Sequence, residues 1–203
     1  ADMQTESVET LLKTNIDPDA KLQAIDNGST KMLLWTESDK DRAYINSSKL
    51  VYSVYDQASG AWSAPAAVHD DKTADYAPSV VSDKDNIYVA WQNMSQEFDN
   101  SATLQDVAKA STVCMSAWTG TKFADPVQVS EAGKMAAMPK VSLDDKGNPY
   151  VAYVQNADNN PLLHTGKNDI FYTVIKGGTE AQSLVLVSEN AGFITSLAAA
   201  YNG

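Results

Sequence analysis

The side chains best suited to ligand chemistry fall in three long segments that interrupt a repetitive sequence. The segments span about residues 38–47, 95–110 and 156–167, and they vary where the rest of the chain repeats. An aromatic ring can cover one face of a sugar while neighbouring polar groups hydrogen-bond its hydroxyls. On that basis the candidate ligand-binding residues are Arg42, Tyr44, Glu97, Phe98, Asp99, Asn159 and His164, with Gln96 and Asn160 as further polar partners.

Three of these candidates carry rings, namely Tyr44, Phe98 and His164. One hypothesis is that the rings are exposed, because variable loops on a rigid scaffold commonly carry recognition. The alternative is that the rings fold back and hold their own loops. The two hypotheses differ in the exposure of each ring.

Catalytic chemistry has weaker support in the sequence. A glycosidase needs two carboxylates roughly 5 to 10 Å apart across the sugar. The chain has 26 acidic residues, so chance pairs are expected, and no pair has a distinguishing context. Asp70 and Asp71, which follow His69, are better interpreted as a solvated loop. We therefore predict no catalytic residue.

Metal chemistry is also weakly indicated. His69 and His164 are the two histidines and lie far apart in the chain, whereas zinc takes three or four closely placed ligands. Calcium is the better alternative, because hard oxygen ligands suit it. Its candidate ligands are Asp39, Asp41, Glu97, Asp99 and Asp106. The acidic stretches at 83–86 and 144–148 lack calcium-loop spacing and favour turns. No cofactor is predicted.

Bulk properties exclude several function classes. The chain has 203 residues, 43% of them hydrophobic, a formal net charge of −11 and a mean hydropathy of −0.31. A globular, water-soluble domain is expected. An acidic chain lacks the clustered cations that bind nucleic acid, and no apolar run is long enough to insert in a membrane. The single cysteine, Cys114, cannot form a disulfide within the chain and is predicted to be buried.

The elements that must position the long segments are short β-type runs in a repeating set of four. The clearest set covers 76–83, 86–91, 111–118 and 123–129, and the same set recurs before and after it. Asn27-Gly28 between the first two runs of the preceding set is a hairpin-turn signal. Four antiparallel strands repeated at this period predict an all-β, β-propeller-like fold.

The repeat predicts three blades and two flanking strands. The blades cover 20–71, 72–133 and 134–192; residues 1–19 are predicted as the last strand of an absent blade, and 193–203 as the first strand of the next. Trp35, Trp91 and Tyr153 share one repeat position, which indicates a core role. Propellers close with about four to eight blades. We therefore expect either a larger ring of six to eight blades or a homodimer that completes the propeller.

The amino-acid sequence of the blades resembles that of the sialidase-like propeller superfamily. The resemblance rests on 52–56, 60–65, 76–79 and 88–91 and covers about residues 20–192. Ser53, Asp56, Gly60 and Trp62 resemble its Asp box, with altered spacing. Similar blades occur in secreted surface proteins of Gram-positive bacteria, which implies an extracellular or cell-surface location.

The resemblance does not imply sialidase activity. Sialidases bind a sugar carboxylate with three arginines, and this chain has one, Arg42. We predict a noncatalytic module that binds a glycan or a protein partner through one loop face. The alternatives are a fragment of a glycan-active hydrolase whose catalytic residues lie outside this chain, and a structural spacer.

Overall fold

The computed structural model describes residues 13, 16, 20, 22–160 and 167–200. The described chain forms three antiparallel sheets, one α-helix and one short 3₁₀ helix. Each sheet is built from consecutive strands, so each corresponds to one predicted repeat. We refer to the sheets as blades 1, 2 and 3.

Blade 1 is a meander in which the fourth strand is split into two short pieces. Its strands are β1 (Gln23–Asp26), β2 (Lys31–Ser38), β3 (Ser48–Asp56), β4 (Ala61–Trp62) and β5 (Ala66–Ala67). The order is β1-β2-β3, and β4 and β5 both pair with β3. The predicted hairpin turn joins β1 and β2, where Gly28 has φ 87°.

Blades 2 and 3 repeat this arrangement. The strands of blade 2 are β6 (Asp75–Ser82), β7 (Ile87–Met94), β8 (Ser111–Ala117) and β9 (Val127–Gln128). Those of blade 3 are β10 (Met135–Leu143), β11 (Pro149–Asn156), β12 (Asn168–Lys176), β13 (Glu180–Ala181) and β14 (Val185–Ser188). The prediction of three four-stranded antiparallel blades is therefore confirmed.

The acidic turns between the first two strands of blades 2 and 3 hold their own backbone. The Asp83 carboxylate accepts the N–H groups of Asp85 and Asn86 at 2.8 and 2.7 Å. The Asp144 carboxylate accepts those of Lys146 and Asn148 at 2.9 and 2.8 Å. These carboxylates act as turn formers, as the sequence indicated.

The first strands of blades 2 and 3 each contain a bulge beside a proline. Ala77 precedes Pro78 in β6, and Met138 precedes Pro139 in β10; the two non-glycine residues have φ values of 48° and 58°. The pairing register shifts at both points. A bulge of this kind turns the side chains beside it away from the regular alternation.

The core lies between the blades, because blade 2 buries both of its faces. Along β7, Ile87, Val89 and Trp91 pack toward blade 1, while Tyr88 and Ala90 pack toward blade 3. Their partners are Met32, Leu34, Leu50 and Tyr52 in blade 1 and Val151, Tyr153 and Ile175 in blade 3. Face-to-face packing on alternating positions is what a propeller requires.

The predicted core positions are buried. Trp35, Trp91 and Tyr153 have relative exposures of 4%, 1% and 0%. Cys114 is buried as predicted. Among the described residues, no helix has the length and apolar character needed to cross a membrane.

Two features differ from the prediction. Residues 191–200 form no strand, although the sequence predicted one from 193, because an extended segment is held only where another strand pairs with it. The structure also contains a helix, α1 (Leu104–Ala110), and a 3₁₀ helix (Tyr44–Asn46), both inside the predicted long segments. Most of residues 1–19 lies outside the described residues.

Candidate functional site

The first long loop, 39–47, is tied to the connection between blades 1 and 2. The guanidinium of Arg42 donates to the Thr73 carbonyl oxygen at 3.0 Å and forms ion pairs with Asp70 and, at 3.5 Å, with Asp39. Only 11% of the Arg42 side chain is exposed. The loop therefore lies at the same end of the molecule as the blade connection, and Arg42 links the two.

The second long loop, 95–110, is held to the first by a paired hydrogen bond. The Asn46 side chain donates to the Phe98 carbonyl oxygen at 2.8 Å and accepts the Phe98 N–H at 3.0 Å. The Phe98 ring is 8% exposed and packs with Ala74, Met94 and Ala110. For Phe98 the hypothesis of an exposed ring is wrong and the fold-back alternative holds, because the Asn46 amide bonds the Phe98 backbone and a small apolar cluster covers the ring.

The second loop also reaches the third. Helix α1 begins with a capping box in which Thr103 and Asp106 bond each other's backbone N–H groups at 3.1 and 3.2 Å. Its Gln105 side chain donates to the Asp158 carbonyl oxygen in the third loop at 3.3 Å. This helix is not among the predicted elements, although the Thr-x-x-Asp spacing is a known signal for a helix N-terminus.

Asn159 in the third loop is tied to the connection between blades 2 and 3. Its side chain accepts the Met135 N–H at 2.7 Å and donates to the Gly133 carbonyl oxygen at 3.3 Å. Its φ of 52° is a conformation that asparagine tolerates better than most residues. This predicted ligand-binding residue holds the loop in place. His164 lies outside the described residues.

A cavity of about 600 Å³ opens between the end of blade 1 and the first strand of blade 2. Tyr44 and Tyr76 stand on its wall with relative exposures of 93% and 39%, so the exposed ring predicted for Tyr44 is confirmed. We call it the tyrosine cavity. Its lining consists of Thr36, Glu37, Ser38, Tyr44, Ile45, Ser47, Ser48, Tyr76, Ala77 and Pro78.

Local structure accounts for the positions of both rings. The 3₁₀ helix is closed by Ser47, whose hydroxyl and backbone N–H bond the Tyr44 carbonyl oxygen at 2.9 and 3.2 Å. Tyr76 lies at the β6 bulge, next to Ala77. Burial raises the pKa of the Tyr76 phenol, and the neighbouring Tyr44 adds to the rise. The repeat pattern predicts Tyr76 only as a strand residue.

A second cavity, of about 730 Å³, adjoins the first loop. We call it the acidic cavity, because five carboxylate side chains and two cationic ones line it. The charged lining residues are Asp39, Asp41, Arg42, Asp70, Lys72, Glu97 and Asp99. Phe98 lines it as well, so the structure brings four predicted residues together here, while Tyr44 lines the neighbouring cavity.

Three of the five candidate calcium ligands, Asp39, Asp99 and Asp106, serve local structure. The Asp39 carboxylate accepts the Lys49 ammonium at 3.0 Å, and this hydrogen bond lowers its pKa. Asp99 accepts the Ser101 N–H at 2.8 Å, and Asp106 belongs to the capping box. Within the ranges that the structure describes, no three His, Cys, Asp or Glu side chains form a metal-binding group.

A buried carboxyl adjoins the tyrosine cavity. Asp75 precedes Tyr76, is 2% exposed, and accepts the backbone N–H of Leu50 from blade 1 at 3.0 Å. Its pKa is raised to about 7, mainly by burial; the Leu50 hydrogen bond lowers the pKa, and the nearby charge of Asp71 contributes to the rise. Asp75 was not singled out in the sequence, because nothing local distinguishes it from the surface carboxylates.

A scan against protein-family models finds no match, and a search of curated proteins finds none either. Solved structures do match. An ulvan lyase, described as a new polysaccharide lyase family, superposes with a TM-score of 0.53 at 18% identity over 91% of this chain and 46% of the lyase. Its complex with -[GlcA(1-4)Rha3S]- gives 0.53 at 18% identity over 85% of this chain and 44% of the lyase.

An α-L-arabinanase of Penicillium chrysogenum in complex with arabinobiose also matches, with a TM-score of 0.48 at 13% identity over 77% of this chain and 44% of the enzyme. The chain spans less than half the length of these proteins. The likeness to the lyase shows a shared propeller-like fold of a kind found in glycan-active enzymes. It supports the propeller prediction in this coarse form and contains nothing specific to sialidases.

Proposed function

We propose that this chain is part of a propeller that binds a glycan at the tyrosine cavity. The observation that carries the proposal is the pair of exposed rings, Tyr44 and Tyr76, on the wall of a cavity of about 600 Å³. Stacking of a ring on an apolar sugar face is favourable, and rigid aromatic side chains lose little entropy on binding.

The remainder of the lining suits sugar hydroxyls. Thr36 and Ser38 contribute hydroxyl groups, and Glu37 contributes a carboxylate. The Ser47 and Ser48 hydroxyls donate to the Tyr44 and Asp75 carbonyl oxygens and can still accept a hydrogen bond. Hydroxyls both donate and accept, which matches the hydrogen-bonding needs of a polyol. An apolar wall with a few polar groups is the usual composition of a small-ligand site.

The fold agrees with this proposal. The matched lyase acts on a polysaccharide, and its bound form contains glucuronate and sulfated rhamnose. A propeller-like scaffold can therefore present loops to a polymeric sugar. We also propose an extracellular location, because polysaccharides occur there. A relationship of this chain to the sialidase-like propeller superfamily is part of the same proposal.

The test is binding of the purified chain to a panel of polysaccharides by affinity electrophoresis, followed by calorimetry with oligosaccharides of the best binder. We expect Tyr44→Ala and Tyr76→Ala each to weaken binding about tenfold or more, as for the central aromatic residues of other interfaces. Tyr44→Phe should retain most of the affinity, since it keeps the ring.

The matched control is Leu104→Ala. Leu104 lies on α1 at the same end of the molecule, is 73% exposed, and lines neither cavity. Its removal should leave binding unchanged. Binding that survives both tyrosine substitutions, or that is lost equally in L104A, would contradict the proposed site.

Catalysis is the second candidate function. It is favoured by one observation, the match to 46% of a polysaccharide lyase. The chain would then supply part of the substrate groove of a longer enzyme. Release of unsaturated or reducing ends from a bound polysaccharide, abolished by Tyr44→Ala, would favour this function over binding alone.

A further inference from the structure

We infer that the tyrosine cavity takes uncharged sugars and discriminates against sugars that carry carboxylate or sulfate groups. The inference rests on the proposed glycan-binding function and names the ligand class. It is argued from the charges around the cavity and from the ion pairs that already engage Arg42, the single arginine of the chain.

Arg42 is not available to an anionic ligand. Recognition of a sugar carboxylate or sulfate favours a guanidinium that offers two parallel donors. The Arg42 guanidinium already pairs with Asp39 and Asp70 and donates to the Thr73 carbonyl oxygen, and 11% of the side chain is exposed. Its donors are directed into the protein.

The remaining charges near the cavity are negative or balanced. Glu37 is the charged residue among those that line the tyrosine cavity, and its Oε2 atom lies 2.9 Å from the Lys13 ammonium. The neighbouring acidic cavity has five carboxylates against Arg42 and Lys72. None of the described residues that line the tyrosine cavity is cationic, and the lining of the adjoining acidic cavity has more carboxylates than cations, so a ligand anion would meet a net negative surface.

The repulsion is large enough to measure. Charges separated by less than the Debye length, about 8 Å at physiological ionic strength, are incompletely screened. We expect an acidic oligosaccharide to bind about tenfold more weakly than its neutral counterpart, a difference of about 1.4 kcal/mol. The difference should shrink in high salt.

The test uses three pairs of hexasaccharides that differ only at C6: glucuronate and glucose, mannuronate and mannose, and galacturonate and galactose. Calorimetry or microscale thermophoresis with the full chain gives the affinity ratio within each pair. The neutral member should bind more tightly in every pair that binds. Equal or tighter binding of an acidic member would overturn the inference and leave the proposed function standing.

A gain-of-function variant provides a second test, in which the expected result is an increase in the affinity for the acidic oligosaccharide. Ser38 lies at the exposed end of β2 on the cavity lining, so Ser38→Arg places an unpaired guanidinium there. It should raise the affinity for the acidic member about tenfold. Thr121→Arg, in the exposed turn at the other end of blade 2, is the charge-matched control and should leave the ratio unchanged.

The two levels of the hypothesis fail differently. If no member of any pair and no polysaccharide in the panel binds, the proposed function falls, and this inference with it. If neutral members bind and S38R gains no acidic affinity relative to T121R, the charge explanation is refuted while glycan binding remains.

Discussion

The buried carboxyl of Asp75 should make the contact between blades 1 and 2 sensitive to pH. Its Oδ2 atom accepts the Leu50 N–H of blade 1 at 3.0 Å, and the residue is 2% exposed. Burial is the main cause of its raised pKa, because the charged form loses its hydration. Asp75→Asn is the sharpest perturbation, since the amide oxygen can still accept from Leu50 but cannot ionise.

The sign and size of the effect follow from linkage. The folded state binds the Asp75 proton more tightly than the unfolded state, so this group contributes stability at low pH and loses it as the pH rises. The pKa is raised from 3.8 to about 7, and each unit is worth about 1.4 kcal/mol. The Asp75 carboxyl should therefore cost about 4 kcal/mol of unfolding free energy between about pH 4 and about pH 8.

The assay compares urea unfolding of the wild type and D75N across this pH range by tryptophan fluorescence. The difference between the two proteins is the informative quantity, because other aspartates, such as Asp39 and Asp83, have lowered pKa values and give the opposite slope. D75N should become more stable relative to the wild type as the pH rises. Asp85→Asn, in an exposed turn, controls for the change in net charge.

A constant difference between the two stability curves would refute this reasoning. It would mean that Asp75 ionises with the same pKa in the folded and unfolded states. Infrared spectroscopy provides a direct check, because a protonated carboxyl has a carbonyl band distinct from that of a carboxylate. The band should titrate near pH 7 in the wild type and be absent from D75N.

Three further predictions concern packing. Gly178 has φ 74°, and an added Cβ would lie 3.0 Å from the Tyr88 ring, so Gly178→Ala should lower the free energy of urea unfolding by about 2 kcal/mol. Gly177 has φ 61° and open space around it, so Gly177→Ala should lower the same free energy by about 1 kcal/mol. Phe98→Ala should cost about 3 kcal/mol by the same assay, and wild-type stability would contradict its burial. Burial raises the pKa of Cys114 to about 12, so its thiol should resist a thiol-specific reagent near pH 8 until the protein is unfolded, and fast labelling of the native chain would contradict this.

The blades were predictable because their signals are local. Short apolar runs, a turn signal between the first two strands and a shared aromatic position at Trp35, Trp91 and Tyr153 specify antiparallel strands that bury both faces. The repetition strengthens each weak signal, since the same interpretation must hold three times. The split fourth strands were less predictable, because each piece is only a few residues long.

The site was predictable only in part, because side-chain direction in a loop depends on distant partners. The burial of Phe98 depends on hydrogen bonds between its backbone and the side-chain amide of Asn46, which is 52 positions away in the chain. The Arg42 guanidinium is paired with Asp70 and bonded to Thr73, and both residues belong to the connection between blades 1 and 2. Tyr76 reaches the cavity because of a bulge, and the sequence signal for this bulge is Pro78 inside a strand. The exposed ring of Tyr44 was the one element of the tyrosine cavity that sequence reasoning identified.

The loop of blade 2 touches both of its neighbours, through Asn46 on one side and Asp158 on the other. The described parts of the three loops are therefore linked, and we do not expect them to close on a ligand independently. A displacement of the first or the third loop would be transmitted through α1 to the other, so we expect the described parts of the three loops, which together form the rim, to move as one unit. Evolution could then change specificity by exchanging side chains along this rim, whereas lengthening or shortening the middle loop would disturb all three blades at once.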